Sequence, residues 1–126
     1  MTKMPLPTES QEQETLFRWA ELQKGKYPEL KLMHHIPNGG KRGKAEAGRF
    51  KAEGVKAGVP DICLPVARGG YHGMYIELKR TGRSDVSDAQ MEWMAALVDQ
   101  GYRVKVCKGW EAAAEAVLAY LKGEQL

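Results

Sequence analysis

The chain has little in it that could brace a fold covalently. Only two of its 126 residues are cysteines, Cys63 and Cys107, and neither belongs to a CxxC pair. That count gives no basis for a disulfide-stapled scaffold, and the thiols read as buried and free in a reducing compartment. The histidines, His34, His35 and His72, show no metal-ligand spacing with cysteine, so no zinc module is expected. No apolar run approaches the ~20 residues that cross a bilayer. The N-terminus lacks a signal-peptide pattern. A cytoplasmic protein without membrane contact is therefore expected. GxGxxG and P-loop patterns are missing, so no nucleotide cofactor is implied. Neither sign of charge dominates, and the net +3 is only a weak pull toward an anionic partner.

The distribution of that charge says more. Residues 1–30 carry slightly more acid than base. Lys41, Arg42, Lys44, Arg49, Lys51 and Lys56 then face only Glu46 and Glu53 between residues 41 and 56. Lysine and arginine gathered this way suit the phosphates of nucleic acid, which supply most nonspecific affinity. Asn38 in the preceding Pro37-Asn38-Gly39-Gly40 is placed to reach a phosphate, although Asn-Gly is also simply a good turn.

The length suits one domain over residues 1–126, with 1–7 as a flexible lead. Thr8 and Gln11 form a capping-box pattern that opens a helix over residues 9–23. Leu16, Trp19 and Ala20 share a face of it with Glu12. Leu30–Ile36 reads as a short strand, and Lys44–Glu53 as a basic helix that stops at Gly54. Strands follow over Asp61–Val66 and Met74–Arg80, joined by the glycine-rich ARGGYHG as a hairpin. Ser87 and Gln90 form a second capping box, opening a helix to about Asp99 whose Trp93, Met94 and Leu97 read as core. Tyr102–Cys107 alternates as a strand, and Trp110–Leu121 is an alanine-rich last helix. The order α, β, α, β, β, α, β, α predicts an α/β domain with a mixed central sheet flanked by helices.

The strand in GMYIELKR, residues 73–80, is odd because Glu77 and Lys79 stand inside it. Side chains of a strand alternate, so Tyr75, Glu77 and Lys79 share one face while Met74, Ile76 and Leu78 enter the core. An exposed i, i+2 ion pair would contribute little. Asp61, directly after Pro60, gives the pair another meaning: a twisted or bulged ribbon would bring it to Glu77, in a register that sequence leaves open. Two converging carboxylates repel unless a cation neutralises them. Mg²⁺ suits such a sparse oxygen site because it keeps several waters and binds phosphate. A neighbouring lysine can then serve the water or the phosphate charge.

Pro60-Asp61 followed by Glu77-Leu78-Lys79 matches the PD-(D/E)xK nuclease pattern. With the ordered stretches IPNGG, GVPD, YIELK, SDAQ and GYRV, the chain resembles the VRR-NUC family of nucleases from about Glu9 to Tyr120. The resemblance implies a restriction-endonuclease-like core and a Mg²⁺- or Mn²⁺-dependent endodeoxyribonuclease acting on branched DNA. It implies a homodimer similar to Holliday-junction resolvases, in a bacterial cytoplasm or encoded by a phage. Asp61 and Glu77 would ligate the metal, the Leu78 backbone carbonyl would complete part of its shell, and Lys79 would serve the attacking water. An acid of the first helix joins such sites: Glu12 is the first choice, with Glu9 and Glu14 as rivals. Gln90 falls where the family has a later glutamine, to reach the site or only to close its capping box. His34 and His35 point to opposite faces, leaving one of them to approach the site. The competing readings are a noncatalytic DNA-binding module on the same fold, a nuclease preferring flaps or splayed arms, and a nuclease that reads a base sequence.

Overall fold

The structure is a computed structural model that describes residues 5–37, 44–82 and 85–124. Residues 1–4 of the expected lead, together with Asn38, Lys41 and Arg42, lie outside the described residues.

The first helix, α1, spans Glu9–Gln23 as its cap predicts. Thr8 Oγ1 accepts from the Gln11 N–H at 3.1 Å, and Gln11 Oε1 accepts from the Thr8 N–H at 2.9 Å. Leu16, Ala20 and, unusually, Glu12 make its buried stripe. The strand expected over Leu30–Ile36 is largely replaced. Pro28–Leu32 winds as a 3-10 turn, and only His34–His35 pair as a strand, β1. Proline at the turn's start presets a helical φ. Leu30 and Met33 are both buried, three residues apart, which is the period of a 3-10 turn rather than of a strand.

The remaining elements are α2 (Lys44–Ala52), β2 (Ile62–Leu64), β3 (Met74–Lys79), α3 (Asp88–Asp99), β4 (Arg103–Lys108) and α4 (Trp110–Leu121). β2 is shorter than the expected Asp61–Val66, because Pro65 interrupts it and the Val66 N–H turns back to the Leu64 carbonyl at 2.8 Å. The β2–β3 connection closes through paired bonds between Arg68 and Tyr71. Gly69 and Gly70 occupy the two corner positions with φ of 56° and 88°, a primed turn matched to strand twist.

The sheet order is β1-β2-β3-β4; the first two pairings are antiparallel and the last is parallel. This is the mixed sheet expected. One face carries Ile62, Leu64, Met74, Ile76 and Leu78 into a core closed by α1 and α4. Alanines 113, 114 and 116 of α4 are buried and keep that helix close to the sheet. Both cysteines are buried and free. The other face is thinly covered by α3, which has no buried residue and packs mainly on β4. Trp93, Met94 and Leu97, expected as core, are only half-buried. Among the described residues no helix is long and apolar enough to cross a membrane.

Candidate active site

The register of β2 and β3 places Ile62 opposite Ile76. β2 starts at Ile62, and one residue before it Asp61 lies beside the Glu77 end of β3, where the two carboxyl groups share a hydrogen bond. Asp61 Oδ2 accepts from the Leu78 N–H at 2.9 Å. Its main-chain carbonyl accepts from the Ile36 N–H at 2.6 Å and from His35 Nδ1 at 2.8 Å. Asp61 is thus held from both neighbouring strands. His34 turns instead to the Leu32 carbonyl at 2.9 Å. Nothing in the sequence singled out His35 as the histidine that touches Asp61, because an edge strand of two residues leaves no periodicity to read.

Glu77 and Lys79 are only 1% and 7% exposed. An acid and a base this deep in a strand are costly unless paired. Burial, followed by the shared hydrogen bond and the charge of Asp61, pushes the Glu77 carboxyl up to about 9, against a smaller opposing pull from Lys79. Glu77 Oε1 has no hydrogen-bond partner among the described residues. Lys79 Nζ donates to Gln90 Oε1 at 3.1 Å. That same oxygen accepts from the Ser87 N–H at 2.9 Å, and the Gln90 N–H donates to Ser87 Oγ at 3.1 Å. Gln90 therefore closes the cap of α3 and accepts from Lys79 at once.

Gly58 explains how α3 is brought there. It has φ +92°, and a Cβ on it would lie 2.8 Å from the Ala89 main chain. Only glycine lets the loop leading to Pro60-Asp61 seat against the first turn of α3.

The first-helix acids divide differently. Glu12 is buried, and its Oε1 accepts from the Trp110 N–H at 3.3 Å. Gly109, which precedes α4, has no side chain to cap it, so Glu12 supplies both an acceptor and a negative charge to that helix's N-terminus. Glu12 Oε2 lies 3.3 Å from where a Cβ on Gly109 would stand. Glu9, an exposed rival, is the first-helix acid whose charge raises the Glu77 carboxyl. Glu14 is exposed.

Of the expected phosphate contacts, Arg49 and Lys51 are exposed on α2 and Lys56 is exposed in the loop that follows. Arg49 lies 3.9 Å from Glu46 and over the Phe50 ring. Lys44 begins α2, and its side chain lies outside the description.

No group of three or more His, Cys, Asp or Glu side chains gathers to hold a metal among the described residues. The donor set is two carboxylates, one with an orphaned buried oxygen. It fits a hard divalent cation that keeps waters, and not zinc.

The VRR-NUC domain profile matches residues 7–111, a span that contains Glu9, Glu12, Asp61, Glu77, Lys79 and Gln90. A solved structure described as a VRR_NUC domain protein superposes with a TM-score of 0.81 at 35% identity, covering 96% of this chain and 93% of the other. No curated protein matches the chain.

Proposed function

The chain belongs to the VRR-NUC family and has its nuclease-type fold, and we propose that it is a Mg²⁺- or Mn²⁺-dependent endonuclease acting on branched DNA. The observation that carries this reading is the pairing of half-buried Asp61 with fully buried Glu77, whose Oε1 has no partner among the described residues, and Lys79 on the same strand face. A module that only binds DNA has no use for a buried carboxylate beside a polyanion.

In this reading Asp61, Glu77 and the Leu78 carbonyl would hold the cation, which when bound would offset charge on the scissile phosphate and make the attacking water more acidic. Asp61 is kept in place by the Leu78 N–H and by the two donors on its carbonyl. Lys79, steadied by Gln90, directs its ammonium at the water or at charge building on the phosphate. Water attacks the phosphorus in line and the opposite P–O bond breaks. The exposed cations of α2 and Lys56 take neighbouring backbone phosphates. A four-way junction is two-fold symmetric, so a homodimer would set one such site at each of two strands.

The test is cleavage of end-labelled four-way junction, flap, splayed-arm and plain duplex DNA with Mg²⁺, Mn²⁺ or chelator, beside Asp61→Ala. Paired symmetric nicks in the junction, lost with chelator and with Asp61→Ala, are expected. Cutting only flaps or splayed arms would replace the resolvase reading with another branched-DNA nuclease. Tight binding with no cutting of any substrate would reduce the protein to a binding module.

A further inference from the structure

Lys79 ends β3, and its register partner on β4 is Lys108. Paired strands present register partners on one face, so the two lysines stand abreast on the face that carries Glu77. Like charges directly opposite each other weaken a sheet. Neither lysine has an ion-pair partner among the described residues. Lys79 Nζ is answered by the uncharged Gln90 amide at 3.1 Å. Glu12, which comes close to Gly109, spends its Oε1 on the Trp110 N–H. Asp61 meets Glu77 on the β2 side of β3, away from Lys108. Two opposed cations are thus left for an anion that the chain itself does not supply.

The fold fixes where Lys108 stands. Before it, Cys107 is buried and pairs with Leu78. After it, the Gly109 N–H donates to the Lys79 carbonyl at 2.8 Å. Gly109 is buried with φ +88°, and a Cβ on it would lie 2.9 Å from the Thr81 side chain. Only glycine lets the chain turn there at once into α4. Lys108 is held from both sides by its backbone neighbours, and its side chain is exposed. β4 is also an edge strand, where a lysine can ward off a second sheet. Arg103 and Lys105 already place charge along that edge, and edge protection gives no reason to set Lys108 opposite Lys79.

Across the sheet, Asp61, then Glu77 and Lys79, then Lys108 come from neighbouring strand ends about 4.8 Å apart. A phosphate over the Asp61–Glu77 pair lies within reach of Lys79, and the next phosphate of the same strand falls on the β4 side. We propose that Lys108 binds this neighbouring phosphate and so lays the DNA strand across the carboxyl ends of β3 and β4. Which phosphate it takes rests on the nuclease reading; the phosphate contact itself does not.

The test uses the full chain as wild type, Lys108→Gln and Lys108→Arg. Binding of four-way-junction DNA is measured against salt in chelator. Single-turnover cleavage is measured with Mg²⁺ on junctions carrying one uncharged methylphosphonate at each linkage beside the wild-type cut. Lys108→Gln should lower the salt slope of binding by about 1 and slow cleavage about tenfold, the loss of one charged hydrogen bond. A methylphosphonate at the neighbouring linkage should slow wild type and Lys108→Arg by a like factor, and Lys108→Gln no further. Lys108→Gln should melt no lower than wild type, because an opposed charge is relieved. An unchanged slope with wild-type cleavage overturns the contact and leaves the residue as a guard of the edge. Slowing in Lys108→Gln that adds to the effect of every methylphosphonate overturns it as well. If wild type cuts no substrate, the nuclease reading fails by itself, and the salt slope in chelator still decides the contact.

Discussion

Glu77 and Lys79 differ in how much of the fold depends on them. Lys79 ends at Gln90 Oε1, and that oxygen keeps the Ser87 N–H when the ammonium is gone. Lys79→Ala should therefore fold and bind DNA within about threefold of wild type, while cleavage falls by roughly 10²–10⁴, the range for losing a positioned proton-transfer or charge-stabilising group. Gel-shift and single-turnover cleavage on one preparation check it, and cutting at the wild-type rate would remove Lys79 from the site. Gln90→Ala is a harsher change in one respect. It removes the acceptor of the Ser87 N–H, one half of the α3 capping box, and frees the lysine together, so it should cost up to about 1 kcal/mol in urea unfolding and also slow cleavage.

Among the elements, helices were legible where the chain writes their caps. Thr8 with Gln11 and Ser87 with Gln90 start α1 and α3 where expected. The segment before β1 was not legible, because LKLMHHI satisfies strand alternation and 3-10 spacing equally well, and Pro28 decides between them. Asp61, Glu77 and Lys79 stood out because charge interrupts an apolar strand. Their meeting depends on the Ile62–Ile76 register, which no local pattern specifies. Glu12 shows the limit of reading a helix face: the stripe correctly marks it as buried, but not that its partner is the Trp110 N–H, ninety-eight residues on. Glu12→Gln keeps an acceptor there and should cost less stability than Glu12→Ala, which orphans the N–H for about 1–2 kcal/mol. If Glu12→Gln retains cleavage, the carboxylate serves α4, and Glu9→Gln becomes the variant that should lose activity. Gly58→Ala should destabilise by at least about 1–3 kcal/mol, the usual cost of an added group where packing has no room, because its Cβ meets backbone and not a movable side chain.

At the scale of the molecule, α1 and α4 seal one face of the sheet, while α3 covers the other thinly, on the side from which Asp61 and Glu77 project. Stability is thereby linked to the charge of one carboxyl pair. Folded Glu77 holds its proton to about 9, against an ordinary value of 4.5. Between those values Glu77 binds more proton in the folded protein than in the unfolded chain, so its contribution to stability falls as pH rises. The contribution is fully present below 4.5 and is lost as pH passes up through about 9. The slope is at most about 1.4 kcal/mol per pH unit for one group. Cys107 shifts in the same sense but only from 9.0 upward, outside the useful window. In chelator, the melting temperature of wild type should decline from pH 5.5 to 8.5 relative to Glu77→Gln, a difference that cancels the other titrating groups. Saturating Mg²⁺ at pH 8 should narrow the gap, since it binds the ionised pair of the folded state alone. Melts of both proteins across that range, with and without Mg²⁺, decide the matter. Parallel profiles in chelator would mean that burial and Asp61 do not raise the folded Glu77 carboxyl, and the argument for a cation between them would lose its electrostatic half.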